Sequence, residues 1–275
     1  MSSDLSSDGN ENRKTLSEYT WFSEIICTFA PVKRYFVWIS YDGTRYHGWQ
    51  IQPNGITVQQ ELQRCLSLLL REEVNVVGAG RTDTGVHARQ MAAHFDIGQL
   101  PMSVDDLAHK LNGLLPQDIG VSKVEAVSDD MHARFSAVSR TYHYYVHTQK
   151  NPFLRQYSLE LHYQLDYERM NDAGRILLDY EDFGAFCKAG SDVKTTLCKV
   201  THAQWHQTSE TTWYFEIIAN RFLRNMVRAV VGTLIEVGRG RMSLDEFRQV
   251  IEGKKRTQAG ESMPAKALFL EEVKY

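Results

Sequence analysis

Cysteine is scarce in this chain and falls into no pattern: Cys27, Cys65, Cys187 and Cys198 form no CxxC pair and no regular framework. A disulfide scaffold or a zinc site is disfavoured, and a reducing cytoplasmic setting is expected. Long apolar runs are missing as well. "YTWFSEIICTFAPV" is too short to cross a bilayer and carries Glu24, so no membrane partner is expected. The polar, acidic "MSSDLSSDGNENRK" ahead of it lacks the basic start of a signal peptide. Residues 1–33 therefore read as a loosely ordered tail, or as the by-product of an upstream start codon. GxxxxGK[ST], a GxGxxG opening a helix, HExxH and GxSxG are also absent, which removes the usual phosphate-loop, dinucleotide, metalloprotease and serine-hydrolase readings. His202 and His206 are four apart, but they lie in a strand-like run, where four residues span about 13 Å. They are not expected to reach one ion, and neither a metal nor a cofactor is expected.

What is present suits a globular protein of one or two domains: 275 residues, 43% hydrophobic and 24% charged. A net charge of −3 argues nothing about nucleic acid, but its distribution does. No Asp or Glu occurs from Met131 to Leu159, where Arg134, Arg140, Lys150 and Arg155 stand. From Asn220 to Arg241 five arginines face the single acid Glu236. An acidic protein can thus present a basic groove to a polyanion; the alternative is a solvated basic face.

The order of elements repeats. "RYFVWISY" (34–41) reads as a strand. A helix capped by Thr57 with Gln60 follows and places Val58, Leu62, Cys65, Leu66 and Leu69 on one face. Strands over 74–79 and 90–96 precede a helix from Ser103 to about Leu115, stopped by Pro116, and a strand near 119–128. In the second half a strand over 139–148 sets Tyr142 and Tyr144 on one face. A helix over 166–180, strands over 197–206 and 212–219, a helix over 221–237, a short one capped by Ser243 and a strand over 268–274 complete it. Each half reads βαββαβ, the ferredoxin-like order, with one extra helix in the second. The expected class is α+β: two ferredoxin-like halves, 34–137 and 138–275, sharing a mixed, mainly antiparallel sheet with a central cleft.

Asp83, in "GAGRTDTGVHA" (78–88), stands largely alone as a chemical group. A carboxylate can act as a nucleophile at a sugar carbon or as a general base; it must be ionised, which a guanidinium within a few ångströms favours. Arg81 is the neighbour in sequence and can also reach a phosphate or stack on a base. Gly78, Gly80 and Gly85 permit positive φ or a close backbone approach. The bland alternative is a salt-bridged turn between strands. Tyr142 or Tyr144 is either a core ring or a platform for a nucleobase. Arg221, Arg224 and Arg228 follow i, i+3, i+7 spacing, so the polar face of that helix carries only positive charge.

"YDGTRYHGWQ", "GAGRTDTGVHA", "HARFSAVSRTYHYYV", "NRFLRNMVRAVVGTLIEVGRGR" and "KALFL" closely resemble the TruA family of tRNA pseudouridine synthases. The blocks run in family order over about 42–270, and RTD-x-GVH is the most specific of them. The resemblance implies that Asp83 is the nucleophile and that Arg81 helps flip out the target nucleotide. It also implies that Tyr142 packs on the target uracil, that Arg228 pairs with Asp83 and that Leu268 lines the base pocket. Thr84 replaces a usual alanine and Ala267 a common glycine, which puts pocket detail in doubt. A tRNA substrate modified in the anticodon stem-loop (positions 38 to 40) and a homodimer are further implications; Arg134, Arg221 and Arg224 are expected on the RNA backbone.

The implied reaction agrees with the bottom-up reading. Turning uridine into pseudouridine exchanges one bond between ribose and uracil for another, so atoms are conserved and no redox cofactor, nucleotide or metal is required. The base must leave its stack, which costs a few kcal/mol and calls for a wedge and an aromatic platform. Two rivals remain: a non-catalytic RNA-binding protein, which does not explain an acid inside a basic groove, and a glycosidic hydrolase, which ordinarily needs two carboxylates.

Overall fold

The computed structural model describes residues 32–191 and 193–275. The tail expected over 1–33 thus falls outside the described residues except for its last two. The first half runs β1 (Lys33–Tyr41), α1 (Val58–Leu70), β2 (Val77–Gly78), β3 (His87–Ile97), α2 (Val104–Leu114) and β4 (Ile119–Val127). The second runs β5 (Ser139–His147), β6 (Leu159–Glu160), α3 (Tyr167–Ile176), β7 (Val200–Ser209), β8 (Thr212–Ala219), α4 (Met226–Gly238), α5 (Leu244–Gly253) and β9 (Leu268–Lys274).

The caps begin the helices where side-chain chemistry demands. Thr57 accepts a hydrogen bond from the Gln60 N–H, and Ser103 one from the Asp106 N–H. Ser243 and Glu246 close a reciprocal capping box at α5. On α1, Val58, Leu62, Cys65 and Leu66 are buried, and Leu70 rather than Leu69 completes the stripe.

The strands form a single sheet in the order β4-β1-β3-β9-β5-β8-β7, with β2 on β3 and β6 on β5. Each half keeps the ferredoxin-like neighbour relations, and the last strand joins them. β9 pairs parallel with β3 (His87 to Phe269) and antiparallel with β5 (Tyr144 to Leu268). Every other main-path pairing is antiparallel. Leu268 packs in the core of the second half and Leu270 in that of the first. Two residues apart on one strand, they share a face, so both helical layers cover the same side of the sheet.

Two elements differ from expectation. The strand expected over 74–79 forms ladder bonds only at Val77 and Gly78. α1 side chains satisfy the backbone before it: Ser67 accepts from the Val74 N–H, Gln63 from the Val76 N–H, and Gln59 donates to the Val76 carbonyl. β2 and β9 share the same edge of β3 without competing, β2 opposite Ala93 and His94 and β9 opposite His87 and Ala88. The helix expected from 221 begins at Met226, because Asn225 takes a left-handed φ of 67°. Arg221 and Arg224 therefore precede α4, and the three arginines form no single helical stripe.

His94 on β3 is 4% exposed and its Nδ1 accepts from the Ala133 N–H at 3.1 Å. Burial, aided by Arg34 and His132, pushes its pKa down from 6.5 to about 4. The unfolded chain therefore takes up a proton that the folded chain refuses, and stability is lost as pH falls from about 6.5 towards about 4. We expect the urea midpoint to drop across that window and His94→Asn to flatten the drop, by on the order of 2 kcal/mol. An unchanged pH profile in the variant would show that His94 does not carry the effect.

Candidate active site

Asp83 sits on the loop between β2 and β3, and the loop is held from below by the first half. Tyr41 and Thr82 share a hydroxyl hydrogen bond of 2.8 Å. The Trp49 N–H donates to the Thr82 carbonyl, and the Val86 N–H to that of Asp83. Of the three glycines only Gly85 has a positive φ, at 78°. Gly78 serves differently: a Cβ there would collide with the Trp49 ring.

The guanidinium groups that face Asp83 come from the other half. Arg228, in the first turn of α4, places Nη1 3.4 Å from Asp83 Oδ2, and Arg224 places Nε 3.8 Å from Oδ1. Arg228 is fixed from behind. Its Nε donates to the Met263 carbonyl at 2.5 Å, and the Met263 N–H donates to the Arg228 carbonyl at 3.1 Å. The strap that carries Met263 lies so close to α4 that a Cβ at Gly232 would overlap the Glu261 carbonyl. Asp83 and Arg228 side chains are a quarter or less exposed, against 58% for Arg224. Arg224 is therefore open to a ligand, whereas Arg228 is positioned for the carboxylate.

Tyr142 on β5 is half-buried and meets Phe222 edge-on, with ring centroids 5.0 Å apart. Burial holds its phenol well above the ordinary range, and the Asp83 charge acts in the same direction, so the ring stays neutral. Tyr144, two residues on, is fully buried and donates to the Pro264 carbonyl; of the pair, it is the core ring. Leu268 is 6% exposed at the start of β9, opposite Tyr144.

The sequence-nominated residues thus separate. Asp83, Arg228 and Arg224 meet. Arg81, expected as the cation beside Asp83, is exposed and makes no hydrogen bond or ion pair among the described residues. Arg221 turns to the carbonyls of Thr195 and Leu197 at 3.3 Å. Arg134 lies over the exposed Phe135 ring. Thr84 is exposed and Ala267 fully buried. The expectation that His202 and His206 cannot approach one ion does not hold: the two rings lean together and stack with centroids 6.0 Å apart.

A family profile described as tRNA pseudouridine synthase matches residues 37–136 and 178–275. The chain belongs to the tRNA pseudouridine synthase family. It is 57% identical over 244 residues to tRNA pseudouridine synthase A of Bacteroides fragilis, covering 89% of this chain and 97% of the relative. Similarity to the protein of the same name from Bacteroides thetaiotaomicron is 55% over 246 residues, covering 89% and 91%. To that from Bacillus subtilis it is 39% over 241 residues, covering 86% and 97%. The synthase family is one of isomerases, and no helix among the described residues is long and apolar enough to cross a membrane.

One residue of this synthase-family site carried no signal beyond its place in a basic run. Arg140 donates Nη1 to the carbonyls of Ala137 and Asn220 and Nη2 to those of Ala79 and Arg134, at 2.6–3.1 Å. It therefore ties the loop of Asp83 to the segment that leads into Arg224. Burial lowers its pKa, opposing the charge, and the four carbonyls offset that cost. Arg140→Lys removes the planar fork. We expect a loss of about 2–3 kcal/mol in denaturant unfolding and a fall in turnover of about 10- to 100-fold. Wild-type turnover in a folded variant would show that the clamp does not position the loop.

Proposed function

We propose that this chain converts uridine to pseudouridine in the anticodon stem-loop of tRNA, at positions 38 to 40, through Asp83. The observation that carries the reading is the single carboxylate held by Arg228 and Arg224 beside the neutral Tyr142 ring. Breaking the N1–C1′ bond leaves an electron-poor C1′, which the anionic Asp83 stabilises. The detached uracil turns against Tyr142 and the apolar wall of Phe222 and Leu268, then rejoins through C5. The C5 proton leaves and N1 gains one, so the product is an isomer of the substrate. Arg81, exposed and unengaged, enters the stack that the target base vacates; Arg224, Arg134 and Arg221 meet phosphates. The choice of the anticodon stem-loop and a homodimeric state rest on the resemblance to the TruA family, a cytoplasmic setting on the cysteine usage, and the division into halves at 34–137 and 138–275 on the repeated order of elements.

A hydrolase ordinarily needs a second carboxylate at the scissile bond and would release free uracil. Incubation with an unmodified tRNA transcript, followed by nucleotide-resolution pseudouridine mapping, tests the proposal. The expected result is modification confined to positions 38 to 40 with no free uracil released. Asp83→Ala should abolish turnover while leaving tRNA affinity equal or slightly higher, since an anion leaves a cationic groove. Retained turnover would falsify the assignment.

The two arginines should separate by measurement. Arg228→Ala is expected to lower turnover about 100-fold or more with affinity changed only a few-fold. Arg224→Ala should weaken tRNA binding and make the slope of log K against log salt shallower by about 0.7–0.9. Equal losses of turnover and affinity at Arg228 would reduce it to a phosphate contact.

A further inference from the structure

The face of the sheet opposite the helices carries a cluster that the isomerisation does not use. Phe215 and Ile217 of β8 and Ala203 and Trp205 of β7 point into the helical core, so Glu216, His202 and His206 project from the other side. His143 of β5 alternates with Tyr142 and Tyr144 and joins them there. A bulge in β7 between Val200 and His202 sets this parity.

In the cluster, one ligand atom from each of His202, His206 and Glu216 lies within 4.8 Å of the others. His202 Nε2 is 3.2 Å from Glu216 Oε1 without hydrogen-bond alignment, and among the described residues neither His202 Nε2 nor His206 Nε2 has a hydrogen-bond partner although both atoms are buried. Leaving two such nitrogens unsatisfied is costly. The carboxylate between them is itself oriented: His143 Nε2 is 2.7 Å from Glu216 Oε2, and His143 Nδ1 is 3.2 Å from the Tyr145 hydroxyl, which donates to Glu271. A carboxylate fixed by an outer hydrogen bond, with two imidazole nitrogens turned towards it, is how a built metal site is organised.

We propose that His202, His206 and Glu216 bind one divalent transition ion, zinc by ligand type, with water as the fourth ligand. Tetrahedral ligands about 2.1 Å from zinc stand about 3.4 Å apart; the His202–Glu216 pair is already there, and His206 closes the rest by a small ring movement. The ion takes no part in the isomerisation. It ties β7, the last strand in the sheet order, to β8, on the face away from Asp83, and His143 is a positioning residue for Glu216.

The test uses the full chain without an affinity tag, stripped with chelator and titrated with zinc chloride by calorimetry. Cobalt(II) absorption reports the ligand type. We expect one zinc per chain and a tetrahedral cobalt spectrum without thiolate charge-transfer bands. Bound zinc should raise the thermal midpoint by about 5 °C at a hundredfold excess over Kd. His206→Gln and His202→Gln should each weaken binding by more than 100-fold and remove the thermal shift, while His143→Ala weakens it by about 10- to 100-fold. No saturable binding by the wild-type chain overturns the proposal without recourse to any variant. Binding that survives the His202→Gln/His206→Gln double substitution, or thiolate bands in the cobalt spectrum, overturns it as well. Pseudouridine formation by the stripped wild-type protein should be unchanged at a temperature where it remains folded; lost formation would overturn the structural role.

Discussion

The contact between Asp83 and Arg228 is the constraint on which the rest of the arrangement depends. Its carboxylate belongs to a loop of the first half and its guanidinium to a helix of the second, 145 residues later. Neither half can form it alone. It exists because β9, the last strand, pairs with β3 on one side and β5 on the other. The strap before β9 then lies against α4, where the absence of a Cβ at Gly232 allows close approach, and the Met263 backbone holds Arg228 in both directions. Strand pairing, helix packing and ion pairing are one connected construction.

Charge placement within that construction follows exposure. Around Asp83 the two guanidinium groups differ in their access to water, and this difference separates their roles. A charge pair removed from solvent is stronger and less screened than an exposed one, so Arg228 acts on Asp83 and Arg224 remains available to a polyanion. Arg221, adjacent to Phe222, is turned aside to neutral carbonyls. Arg140 is occupied by four carbonyls rather than by any acid. Of the arginines that make this region basic, some therefore hold the backbone together and others face outwards. Charge counts along the chain do not distinguish the two.

The sheet separates two kinds of chemistry. On the helical side, apolar burial surrounds a single acid and its cations. On the other, β5, β7 and β8 raise imidazoles and carboxylates with no helix of the described residues over them. Strand alternation makes this separation automatic: Tyr142 and His143 are adjacent in sequence yet belong to different faces. Each face can be altered by substitution with little direct effect on the other.

How much of this was legible in the sequence depended on the range of the determining interaction. Thr57, Ser103 and Ser243 announced their helices because a cap bonds three residues away, and alternation along β5 announced which tyrosines share a face. Asp83 was legible as a lone acid among glycines, and the spaced blocks around it made the family recognisable. Interactions between distant segments were not. β2 shortened because α1 side chains take up the backbone groups of Val74 and Val76. α4 began at Met226 because Asn225 turns left-handed, its side chain bonded to Ser262 of the strap. Residue chemistry alone pointed to the adjacent Arg81 as the cation at Asp83; Arg228, named only through the family resemblance, meets it together with Arg224, and Arg140 had no local signature. His202 and His206 converge because long side chains can lean together over one intervening pair, which a Cα spacing does not register. By itself, then, the sequence determined element order, caps and the identity of the solitary acid, all set by neighbours a few residues apart. Tertiary structure decided which charges meet that acid and which imidazoles meet each other, because those partners are brought together only when β9 closes the sheet.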